Sequence, residues 1–197
     1  MKSFTKIALT VAMSAALSTS AFAGDPKAGA PASPTPAKAE AAKKMEMPKA
    51  PQEMLDAGKM MAGTWKCTGK GAMDPSNPTA MTDMKATATF KQDLDKWWVV
   101  GTVVTGPMKM TMYRTYDPAA KKWIHIGVDN MGGSDNMWSM GPKDGKVTWE
   151  GDCRMMGMNM KSRMTEELTA KQMMLSGEMS MDGGKTWMKS MEMTCKK

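Results

Sequence analysis

Methionine and cysteine are the residues through which this chain could do chemistry. It holds 28 methionines, 3 cysteines and a single histidine in 197 residues. Many methionines recur on alternate positions: Met108, Met110 and Met112; Met156, Met158 and Met160; Met179 and Met181; Met191 and Met193. Period two is the repeat of a β-strand, so each series marks one face of a sheet. Thioethers can do two things there. They fill irregular apolar space, because the side chain is unbranched and polarizable. With thiolates, they also select soft ions such as Cu(I). Alternate sulfurs on one strand sit about 7 Å apart, too far for one ion to bridge, so coordination needs methionines from neighbouring strands. An adaptable interior is the stronger reading.

His125, in the run KKWIHIGVD, shares a face with Trp123. A lone histidine can be a haem ligand or a base, but no partner groups stand near it in sequence, which favours a structural role. The chain has no G-x-S-x-G, H-E-x-x-H, P-loop or CxxC pattern. No catalytic residue, metal ligand set or cofactor is assigned, and the chain is not read as an enzyme. Ser180 to Trp187 (SMDGGKTW) fits the S-x-D-x-G-x-T-W box of sialidase-type propellers, but occurs once where a propeller needs several. It is better read as a hairpin in which Asp182 bonds the turn backbone.

These residues need a sheet to position them. From Thr64 onward the chain reads as ten short strands, 64–70, 84–91, 96–106, 108–117, 121–129, 134–140, 146–153, 157–168, 172–181 and 185–195. Turn chemistry separates them, as at Asp117-Pro118, Lys143-Asp144-Gly145 and Asp182-Gly183-Gly184. Residues 51–62 form one short helix, with Met54, Leu55, Gly58 and Met61 on one face. The expected fold is all-β: an up-and-down antiparallel, lipocalin-like barrel of about ten strands, with one short N-terminal helix. Closure removes the exposed edges. Alternation turns Trp65, Cys67, Trp149, Cys153, Trp187, Met191, Met193 and Cys195 inward. Cys67 and Cys195 lie on the first and last strands, which closure makes neighbours, so a disulfide between them is geometrically allowed; other pairings stay open. The Trp97-Trp98-Val99-Val100 strand is apolar on both faces. Either the 51–62 helix or a second subunit, in a homodimer, would cover it outside.

Residues 1–23 combine Lys2 and Lys6, an apolar run from Ile7 to Leu17, and Ala21-Phe22-Ala23, the pattern of a secretory signal peptide. The apolar run is too short to be a membrane anchor, so no membrane insertion is expected. Residues 24–50 are rich in Ala, Pro and Lys and read as a disordered linker. The barrel domain then spans 51–197, in the periplasm or secreted. The formal charge is +7; without Lys2 and Lys6, 25 of the 27 basic residues face 20 acidic ones, a net +5. Lys and Glu are interleaved, which describes a solvated surface and not a nucleic-acid footprint.

Four stretches carry a family resemblance: Met61 to Gly69 (MAGTWKCTG), Tyr116 to Trp123 (YDPAAKKW), Asp129 to Gly133 (DNMGG) and Glu192 to Lys197 (EMTCKK). The chain resembles a family of small exported bacterial proteins, a domain of unknown function with a lipocalin-like or nitrobindin-like barrel. The Gly-Thr-Trp start after a short helix also resembles lipocalins and fatty-acid-binding proteins, where that Trp packs at the base. The resemblance implies small-molecule binding, by analogy of fold.

The resulting expectation is an exported barrel holding a small apolar molecule. Trp65 anchors the closed end, and Met110, Met112, Trp149, Met158, Met160, Met179 and Met193 line the cavity. The alternatives are a Cu(I)-binding protein using the same face, or a filled barrel acting as a protein-interaction module through Trp97-Trp98.

Overall fold

Strict alternation of apolar and polar residues makes every strand two-sided, and the strands resolve that by wrapping their apolar faces around one axis. The computed structural model describes residues 46–197 except 73, 75, 76, 78 and 79. The expected signal peptide, and the linker up to residue 45, lie outside the described residues.

A helix, α1 (Gln52–Met61), precedes β1 (Gly63–Ala72), β2 (Met81–Asp93), β3 (Trp98–Thr105), β4 (Met108–Asp117), β5 (Lys122–Asp129) and β6 (Ser134–Ser139). The two-residue β7 (Pro142–Lys143) follows, then β8 (Lys146–Met155), β9 (Met158–Leu168), β10 (Gln172–Ser180) and β11 (Met188–Lys196). Apart from β6 and β7, each strand pairs antiparallel with its neighbour in sequence; β6 pairs with β8, and β1 pairs with β11. Ten strands thus close into a barrel, with β7 a short flap on β8. Cys67 and Cys195 face each other across the β1–β11 seam and are joined as a disulfide.

α1 sits at the end of the barrel where β1 begins. Met54 and Met61 enter the core beside Trp65, Phe90 and Val99, and Gln92 donates to the Met54 carbonyl. Gly58 lies against the Gln92 side chain, where any Cβ would overlap it. The indole nitrogen of Trp65 donates to the Met61 carbonyl at 2.8 Å, fixing the helix to the first strand. This corrects one expectation: α1 plugs an end and does not cover the Trp97-Trp98 strand. Trp97 falls in the turn before β3 and donates to the Pro48 carbonyl; Trp98 points outward and meets Tyr113 edge-on.

Three other residues depart from the simple alternation. Met156, with Gly157, forms the β8–β9 turn, both with positive φ, and is exposed. Met181 lies beyond β10 and is exposed. Trp187 precedes β11 and packs under the Arg163 guanidinium on the outer wall, not inward with Met191. A register shift between Gly177 and Glu178 explains why the pattern fails near Lys189. Asp182 closes this turn as expected, accepting from Ser180 Oγ and the Lys185 and Thr186 amides. Those bonds, the Thr186 amide foremost, hold its carboxyl far below the usual range.

Candidate functional site: a polar floor beneath a methionine-lined lumen

The inner face of the barrel contains a charged group that alternation in methionine does not announce. Arg114 follows Met110 and Met112 in phase on β4, and Glu166 follows Met158, Met160 and Met164 in phase on β9. β4 and β9 lie far apart around the barrel, so their side chains meet only by crossing the lumen. Arg114 Nη1 is 2.8 Å from Glu166 Oε2 and 3.1 Å from Oε1, with both side chains almost fully buried. The same Nη1 lies 3.8 Å from the Met61 sulfur, which places the ion pair directly above the α1 plug.

Arg114 Nε donates to His125 Nδ1 at 3.0 Å, and His125 Nε2 lies 3.0 Å from Asp135 Oδ1. A histidine that accepts at Nδ1 from a guanidinium carries no proton there and is neutral. Burial lowers its pKa, Arg114 adds to that effect, and the Asp135 hydrogen bond opposes it. Gly127, opposite Asp135 on β5, gives the carboxylate room; a Cβ there would overlap it. Trp149 completes the floor. The Arg114 guanidinium lies 4.8 Å from its ring centre, and His125 meets it edge-on. The Trp149 indole N–H is buried with no hydrogen-bond partner among the described residues. An unmade buried donor costs about 1–3 kcal/mol.

Above this floor the wall is thioether. Met160, Met179 and Met193 are buried, while Met110, Met112 and Met158 remain part-exposed, as do Met84, Met164 and Met191. With Trp65 wholly buried at the α1 end and Trp149 in the floor, all eight expected lining residues therefore face inward. They divide into layers: Trp65 and Met193 lie in the core around the plug, Trp149 in the polar floor, and the rest above it. Two surface grooves lie elsewhere. One of about 730 Å³ is bounded by residues including Thr68, Met84, Thr105 and Pro107. The other, of about 540 Å³, includes Ile126, Asp135, Asn136, Cys153 and Asn159. Neither is lined by any of the eight.

Cys153 is the free thiol, half-buried on the inner face of β8. Asp135 and Met160 oppose it directly on the two adjacent strands. Burial first, then the Asp135 and Asp129 carboxylates, push its pKa up to about 11. A thiol so placed is a poor nucleophile at neutral pH.

Residues 47–197 match a family model described as "Protein of unknown function (DUF1579)". The chain belongs to the DUF1579 family. The match covers the helix and every strand, so the barrel is this family's domain. No curated protein matches the chain.

Proposed function

We propose that this DUF1579 protein is an exported barrel that binds a small apolar molecule in its lumen, entering at the end opposite α1. One observation carries the reading. Met110, Met112, Met158, Met164 and Met191 face inward yet stay part-exposed. A side chain on the inner wall of a closed barrel is wetted only through the lumen. Apolar inner surface left wet is a standing driving force for an apolar occupant, at about 25 cal/mol per Å² covered. Methionine suits this role because it re-packs around guests at low cost. The unpartnered Trp149 indole supports an occupant with a hydrogen-bond acceptor at its inner end.

The test is native mass spectrometry on protein purified from its own host without detergent, with titration of a neutral fluorescent apolar probe. A bound small molecule, and probe binding weakened at least tenfold by Met112→Trp or Met164→Trp, are expected. A chain that arrives empty and binds no neutral probe overturns the reading.

A further inference from the structure

The β8–β9 hairpin reads Cys153-Arg-Met-Met-Gly-Met-Asn-Met160, and its register sets four sulfur residues in two opposed pairs. Cys153 faces Met160, and Met155 faces Met158. All four occupy the inward-facing phase of their strands, the phase of Trp149 and Glu166. Directly opposed residues place their Cβ atoms about 4.5–5.5 Å apart. Flexible thioethers on such a pair can close on one ion, which neighbours along one strand cannot. The positive φ of Met156 and Gly157 makes the tight two-residue turn that holds the pairs in register.

We propose that this hairpin is a binding site for a single soft monovalent cation, Cu(I) or its stand-in Ag(I), held by the Cys153 thiolate and by Met160, Met155 and Met158. Three further observations favour a cation here. Asp135, on β6, stands directly opposite Cys153. His125, which contacts Asp135, is neutral, so it brings no competing positive charge. Cys153 and Asp135 both line the 540 Å³ groove, which gives an ion a route in. The chemistry balances without a redox step: the ion replaces the thiol proton, which leaves to solvent. Thiolate and thioether donors select soft ions over Zn²⁺ or Mg²⁺. The other two cysteines are locked in the disulfide and cannot supply the thiolate.

The site shares Met158 and Met160 with the lumen wall, and the experiment keeps the two readings apart. Anaerobic titration of the intact disulfide-bonded protein with Cu(I), against a chromophoric Cu(I) chelator, should give one ion per chain. Cys153→Ser and Met160→Leu should each weaken binding at least tenfold, whereas Met173→Leu, on β10 near the α1 end, should not. Ag(I) should shield Cys153 from alkylation by a maleimide, read by mass. No binding by the wild-type chain, or equal binding by Cys153→Ser and Met160→Leu, overturns the site. Neutral-probe binding measured in the same samples reports on the lumen separately.

Discussion

Arg114 and Glu166 reach each other across the whole lumen, guanidinium to carboxylate, from strands β4 and β9 that share no ladder. The pair separates the α1 plug from the methionine-rich wall above. Buried ion pairs add little net stability, because desolvation offsets the attraction, but a broken one strands a charge. Arg114→Met alone should therefore lower unfolding free energy by about 3–5 kcal/mol. Arg114→Met with Glu166→Leu should recover most of that loss in urea titrations.

His125 makes stability depend on pH. Its folded pKa lies below the ordinary 6.5, so the unfolded chain takes up a proton first as pH falls. The stabilisation is full above about pH 6.5 and is lost as pH falls through the lower folded value. Thermal scans should show Tm falling with pH below about 6.5. His125→Gln should flatten the fall over that window while lowering Tm at pH 7.5.

Charge inside the lumen should select the occupant. Arg114 pairs with Glu166, and Asp135 adds a second carboxylate beside the neutral His125. An anionic head would add like charge to an interior that already carries more carboxylates than cations. Neutral apolar probes should therefore bind at least tenfold tighter than carboxylate probes of similar size. Asp135→Asn should narrow that ratio, as read by fluorescence displacement.

The seam disulfide closes a loop of 128 residues in sequence separation. In the chain-entropy account, a cross-link of that span stabilises by about 5 kcal/mol. Cys67→Ser with Cys195→Ser should lower the urea midpoint accordingly while strand content by circular dichroism persists at 25 °C.

Backbone contact makes Gly151 a packing site. A Cβ there would overlap the Asn136 carbonyl and Met137 Cα on β6, neither of which can rotate away. Gly151→Ala should cost about 1–3 kcal/mol in unfolding free energy, from forced separation of β6 and β8. By contrast, Met156→Asn should raise stability slightly, since asparagine tolerates the positive φ of that turn better than methionine.

The barrel was legible because its inner wall is written in one residue type at one period. Met110 and Met112, or Met158 and Met160, announce a face without help from the rest of the chain. The polar floor was harder to see because it interrupts that signal. Arg114, Glu166 and Asp135 stand in phase with Met112, Met164 and Met137, so alternation alone puts them inside. What the sequence withholds is which of them meet, since β4 and β9 come together only through closure. Outward Trp187 and the end-on position of α1 were misplaced for a related reason. Each depends on a register shift or a turn, which alternation along one strand does not record.

The connectivity has a consequence for how the protein reaches its fold. Nine of the ten ladders of the closed barrel join strands that follow one another, the hairpin-like β6–β8 pairing included. Each can form from a short stretch of chain as soon as it exists. Only the β1–β11 ladder, from Lys66 with Lys196 to Gly71 with Met191, requires the two ends of the domain to find each other. The search that spans the whole domain is therefore concentrated in one event. Cys67 and Cys195 stand in that ladder, so that encounter is also the one that oxidation makes permanent.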